Sequence, residues 1–261
     1  MKYALLNGQY VTATPHQKGA VCPLCLSEMV ARCGTINVHH WAHKKGAHCD
    51  AWCEPDSEWR HRWLDSFSGC SVEQKLEKGK EKHLIDVQTE LGTNILLRRG
   101  RIKEAELAKM EDFFPNLVWI VDVGSSQRAA DQFKKLYQDD DISHSFDNVW
   151  ETSMGDKGLP SAWTSCRYPV FLDFSNAKDL PEYISKYLWC LMPYEVNSLV
   201  YDRVLLRYTE EEMIEGLKKR KLSSSSEVQK KVASLNRKLK EKSEQRFQKW
   251  ASDFRKQFPA L

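Results

Sequence analysis

Apolar positions along the chain follow two periods. Short runs at ALLNGQYVTA, HLIDVQT, TNILLRRG, LVWIVDV, YPVFLDF and LVYDRVLLRY are alternating or continuously apolar and carry many β-branched or aromatic residues, so they predict strands. The first is a hairpin with Asn7-Gly8 at its turn, a pair that accepts the positive φ of a tight reversal. In EPDSEWRHRWLDSF the period changes: Trp59, Trp63 and Phe67 recur every four residues and Ser57 stands where an N-cap belongs, which predicts a helix. A second helix spans Ile102 to Phe114 and is stopped by Pro115. The order helix, strand, strand, helix, strand predicts a small α/β sandwich, followed by a further α/β unit from Arg167 to about Tyr208.

The end of the chain differs in character. After Ser223–Ser226, the residues Val228, Val232, Leu235, Leu239, Phe247, Trp250 and Phe254 keep a broken three-and-four spacing with cations between them, predicting one amphipathic helix with an imperfect heptad. From Lys218 to Phe258 there are 14 Lys or Arg against 4 Asp or Glu. The net charge of +3 therefore hides an acidic body with a basic tail, unlike a uniformly basic nucleic-acid-binding domain. The apolar stripe favours self-association or a protein partner through residues 228–258, while the charge suits phosphate or an acidic neighbouring subunit.

Hydrophobic content of 41% and nine tryptophans exclude a disordered chain. The apolar opening is broken at once by Asn7 and Gly8, and no run is long enough to cross a bilayer. A cytoplasmic protein with no membrane role is the expectation, and its eight cysteines then read as thiols or metal ligands. The expected division is a zinc-binding module over 1–53, an α/β core over 54–160, an α/β extension over 161–217 and a basic amphipathic helix over 218–261.

Cys22-Pro-Leu-Cys25 places two thiols on one tight turn, and His40-Trp-Ala-His43 follows fourteen residues later. The set C-x2-C-x14-H-x2-H suits closed tetrahedral zinc. Cys22, Cys25, His40 and His43 are thus the expected ligands, with Cys33, His39, His48, Cys49 and Cys53 near enough to substitute. Four protein ligands leave no open position, so the ion is expected to be structural.

Taken together, CPLC, HHWAH, WCEPDSEW, HLIDV and LVWIVD resemble the CoiA-like competence protein family, over roughly residues 1 to 217. The resemblance implies a restriction-endonuclease-like PD-(D/E)XK core behind a small amino-terminal zinc-binding module. It also implies an aspartate closing one strand and E-x-Q on the next, with glutamate, histidine and lysine on the preceding helix. Asp86 matches the aspartate and Glu58 the helix glutamate. Leu96 falls on the expected glutamate, Arg98 on the glutamine, Arg60 on the histidine (His61 is adjacent) and Leu64 on the lysine.

These departures fall where Mg²⁺ would be held. Strand alternation sets residues 96, 98 and 100 on one face, and a one-residue slip presents Ile95, Leu97 and Arg99, again without a carboxylate. Leucine offers no lone pair, and arginine repels a divalent cation while attracting phosphate. Glu73 and Glu77 precede the first strand and are possible replacements. The expected function is nucleic-acid binding by a degenerate nuclease active in DNA handling or defence. Arg60, His61, Arg98, Arg99 and Arg101, with Arg62, would line a phosphate groove, and Asp86 and Glu58 would be catalytic remnants. The alternatives are a Mg²⁺-dependent DNA endonuclease with displaced acids and a protein-interaction or regulatory subunit.

Overall fold

The computed structural model describes residues 1–44, 49–99, 102–124, 166–178, 180, 182–197 and 200–219. Arg101 and nearly all of the expected basic helix over 218–261 lie outside the described residues. Two small hairpins come first: β1 (Tyr3–Leu6) with β2 (Gln9–Thr12), and β3 (Met29–Arg32) with β4 (His40–His43). Asn7 and Gly8 take φ of 52° and 80°, the left-handed pair that the first turn demands. Beyond them come α1 (Glu58–Ser66), β5 (Ser71–Lys78), β6 (Glu81–Gln88), β7 (Asn94–Arg99), α2 (Glu104–Phe113) and β8 (Leu117–Asp122). The chain continues through β9 (Val170–Asp173), a short α3 (Glu182–Ser185), β10 (Leu188–Asn197), β11 (Val200–Tyr208) and α4 (Glu210–Lys218).

Strands β5 to β11 form one mixed sheet in the order β11-β10-β9-β8-β7-β6-β5. The central β7-β8-β9 run is parallel and the flanking pairs are antiparallel. The expected division near residue 160 therefore does not separate two sheets, because β9 continues directly from β8. Central strands buried on both faces carry uninterrupted apolar runs, which is why LVWIVD is legible and fully buried. Strand β5 is an addition to the expected order. Its residues SVEQKLEK are polar because it lies at the sheet edge, where charge discourages pairing with another chain.

Helices α1 and α4 cover one face of the sheet, packing Trp59, Trp63, Phe67, Met213 and Leu217 on Ile95, Leu97, Val118 and Phe171. Helix α2 covers the other, packing Leu107, Met110 and Phe113 on Leu96, Trp119, Val121 and Leu172. Ser57 caps α1 by accepting from Arg60 N at 3.2 Å, and Thr209 and Glu212 form a reciprocal capping box on α4. Among the described residues no helix is long and apolar enough to cross a membrane.

Trp59 and Trp63 are core residues rather than stacking platforms, and their indole N–H groups need partners inside the protein. Both donate to Asp173 Oδ2, at 2.8 and 2.9 Å, and Arg62 Nη2 adds a third bond at 2.6 Å. Asp173→Ala strands two buried indole donors and should lower stability by about 3 kcal/mol, read as a fall in the urea midpoint with unchanged slope. A midpoint equal to the parent's would show that this carboxylate does not hold α1 to the sheet.

Candidate metal centre and buried carboxylate cluster

The amino-terminal module gathers Cys22, Cys25, His43 and Cys49, whose ligand atoms all lie within 4.8 Å of one another. Cys22 and Cys25 sit on a turn closed by Leu26 N donating to the Cys22 carbonyl and Cys22 N donating to the Ser27 carbonyl, both at 2.9 Å. Leu26 takes φ of 60°, and Leu24 N donates to Cys22 Sγ at 3.4 Å, but burial outweighs such backbone hydrogen bonds and pushes the Cys22 thiol up. The Sγ atoms of Cys22 and Cys49 are 3.6 Å apart, and Cys25 Sγ is 3.3 Å from His43 Nε2. A tetrahedron with Zn–S bonds of about 2.3 Å has S–S edges of about 3.8 Å, so the set fits a four-coordinate zinc ion.

Three expected ligands therefore converge, and Cys49 stands in the fourth place instead of His40. The reason is strand geometry. His40 and His43 lie three residues apart on β4, so their side chains leave opposite faces and cannot grip one ion. His40 Nδ1 instead donates to the Val38 carbonyl at 2.9 Å. The thiols are unequal. Burial opposes ionisation of Cys25, but hydrogen bonds from Ser27, His43 and Cys49 outweigh it and bring that thiol down to about 6. Burial, then the neighbouring Cys22, pushes Cys49 well up.

The second feature lies where the module meets the sheet. Asp86 on β6 sits where β6 and β7 part, since their ladder extends only from Val87–Ile95 to Gln88–Asn94. Its Oδ2 accepts from Leu97 N at 2.8 Å, replacing a missing strand bond. Its Oδ1 accepts from Arg60 Nη2 at 2.5 Å and Nε at 3.1 Å. Arg60 Nη1 also donates to Glu73 Oε1 at 2.8 Å and Asp56 Oδ1 at 3.2 Å. Burial disfavours the Arg60 charge, yet Asp86 and then Glu73 outweigh it and hold its pKa well above normal.

Arg60 was expected in a phosphate groove and is 1% exposed, engaged by three carboxylates; it cannot line one. Arg98 is also buried, facing Glu54 at 3.3 Å and Met110 Sδ at 3.4 Å, and its Nε has no partner among the described residues. His61 Nε2 meets Asp56 Oδ1 at 3.0 Å. Arg99 keeps a half-exposed guanidinium, steadied by Asp122 at 3.2 Å, and the similarly exposed Arg62 is held by Asp173 and Glu210, both at 2.6 Å. Leu96 is a core residue beside Trp119 on the α2 face. Glu58 is on the exposed side of α1 and does not join Asp86, so it is no remnant of that site. Glu73, named only as a possible substitute, does converge, and Glu54 and Asp56 join it without having been singled out. The signal for both was their place in CEPDSE immediately before α1.

Glu73 holds a φ of 47°, and its carboxylate accepts from Lys2 N at 3.1 Å and Tyr3 N at 2.6 Å, fixing β1 to the sheet. Asp50 accepts from His83 Nδ1 and Leu84 N at 2.9 and 2.8 Å, while Trp52 stacks on His83 with centroids 3.6 Å apart. The metal module is thus bolted to the edge of the sheet beside Asp86.

Residues 7–51 match the family model described as Competence protein CoiA, N-terminal domain. The matched span contains all four converging ligands, and it supports the likeness of this chain to CoiA-like proteins. No curated protein and no solved structure matches the chain significantly.

Cys49→Ser should lose bound zinc, whereas His40→Ala should retain it, as read by metal content after purification; equal loss in both would return His40 to the ligand set. A second expectation concerns acid. Burial raises the Asp56 carboxyl, but His61, the α-ammonium and Arg60 together hold it well below the usual carboxylate range. Its contribution is therefore complete above the unfolded value of about 3.9 and is lost as pH falls toward the folded one. Asp56→Asn should cost stability at neutral pH, with the gap to the parent closing below about pH 4 in urea titrations.

Proposed function

We propose, for a chain whose amino-terminal module is of the CoiA type, that it binds nucleic acid and does not cut it through a metal at Asp86. One observation carries the second half. Both oxygens of Asp86 are committed, one to Arg60 and one to the backbone of β7, and a permanent guanidinium stands where a divalent ion would bridge Asp86 and Glu73. The position across the ladder supplies Leu96, which is packed in the core. A carboxylate placed there by substitution would be buried among Trp119 and Met110, with no route to the ion.

Support for binding comes from the family resemblance, from the half-exposed Arg99 and from the run of cations after Lys218. The ion in the module is proposed to be zinc in a structural role, since every coordination position is filled from the chain. Residues 228–258 are proposed to associate with a second copy or another protein.

The convergence of Glu73 and Glu54 near Asp86 favours one competing reading, an endonuclease whose acids have moved and whose Mg²⁺ displaces Arg60. Incubation of the purified chain with plasmid, single-stranded DNA and RNA, across Mg²⁺, Mn²⁺ and EDTA, separates the two. Retarded mobility that weakens steeply with salt, and no cleavage under any condition, is expected. Cleavage that EDTA and Asp86→Asn both abolish would establish the enzyme instead. No retardation at low ionic strength would leave a protein-interaction role. Arg60→Met should destabilise the fold by about 3 to 5 kcal/mol in chemical denaturation, because it leaves Asp86 and Glu73 buried without a cation.

A further inference from the structure

A cavity of about 310 Å³ lies between the metal module and the first strands of the sheet; His43 and Cys49 of the metal set reach its wall, but the roles assigned so far do not use the space beside Arg32 and His40. Its size is at the lower end of the range for small-molecule pockets, about 300 to 1,000 Å³. Ala42, Pro55 and Leu84 give it an apolar wall.

The polar lining divides into spent and available groups. Asp50 is spent on His83, Leu84 N and Trp52 N. Asp56 is spent on Arg60, His61 and the α-ammonium, and Glu54 faces Arg98. His43 and Cys49 belong to the metal set, and burial pushes the Cys53 thiol up, which leaves Arg32 and His40, direct cross-strand partners on β3 and β4. Directly opposed residues in an antiparallel pair leave the same face with Cβ atoms about 5 Å apart. The Arg32 guanidinium has no partner among the described residues. His40 donates through Nδ1 to the Val38 carbonyl, a tautomer that leaves Nε2 as the ring's acceptor for an incoming donor. The pair thus offers a fork for a phosphate and, beside it, an acceptor for a hydroxyl.

We propose that this cavity binds a nucleotide, with Arg32 on the phosphate, His40 Nε2 accepting from a sugar hydroxyl, and the base against Leu84 and Pro55. This deepens the nucleic-acid reading and rests on it only for the source of the nucleotide. A free mononucleotide and the 3′ end of a strand present the same phosphate and hydroxyl. Strand geometry that keeps His40 off the metal is also what places it beside Arg32.

The test is calorimetric titration of the full chain with dAMP, with dideoxy-AMP, and with short oligonucleotides ending in a 3′ hydroxyl or a dideoxy terminus. Zinc content is measured on every variant, so that collapse of the module is seen. The parent should bind dAMP, Arg32→Ala should weaken it about tenfold or more, and Arg32→Lys should recover part of the loss. His40→Phe should erase any preference for the hydroxyl over the dideoxy form. A preference for hydroxyl-ended oligonucleotides identifies the strand end as the source, and binding of dAMP alone identifies the free nucleotide. Absence of dAMP binding, or equal binding by zinc-replete Arg32→Ala, would overturn the proposal even if oligonucleotides are still retarded elsewhere on the protein. Binding of dAMP with no oligonucleotide binding would sustain the cavity and end the nucleic-acid reading.

Discussion

The guanidinium of Arg60 sits among Asp56, Glu73 and Asp86, each of them nearly or wholly sealed from solvent. A buried carboxylate without a cation is costly, and three together would not remain ionised. With Arg60 in place, each acid is free to perform a second task. Asp86 closes the gap between β6 and β7, Glu73 holds the backbone of β1, and Asp56 fixes His61 and the start of the chain. One side chain from α1 therefore joins the helix, the sheet and the amino-terminal module. The compensating positive charge at this point, Arg60 with the α-ammonium on Asp56, comes from the chain itself rather than from an ion in exchange with solvent. Such a centre does not respond to chelators or to the metal content of its surroundings.

The other cation centre has the opposite character. Cys22, Cys25, His43 and Cys49 are drawn from a turn, a strand and a segment beyond it, in a module whose apolar core is small, built on Ala4, Met29, Trp41 and a few neighbours. A core of that size gives little stabilisation by burial, a shortfall that an ion held by these four ligands would offset. Asp50 and Trp52, just past the last ligand, dock on β6. The last residue of the candidate metal set and the attachment to the sheet thus share one short length of chain.

Much of this was legible in the sequence, and the failures have identifiable physical causes. Runs such as LVWIVD declare themselves because central strands are apolar on both faces, and α1 declares itself through tryptophans at spacing four with a serine cap. Strand β5 hid because an edge strand carries charge, and because its one inward acid, Glu73, reads as surface until Arg60 is placed beside it. The histidine pair misled because H-x2-H suits one ion on a helix or a loop, while on a strand the two rings point apart. Arg60 and Arg98 read as phosphate ligands in the sequence because sequence shows charge but not its partners; only the fold reveals that their counter-ions come from CEPDSE and the sheet.

Pairing of β8 with β9 has a consequence for how the chain is made. The two strands lie side by side in parallel, yet Asp122 and Val170 are separated by a long stretch of sequence, so their union closes a large loop and must come late. Until β9 emerges from the ribosome, β8 lacks the strand that pairs along that edge. A nascent or prematurely terminated chain ending between these strands would expose the stickiest part of the sheet, making it a natural client for chaperones and proteases.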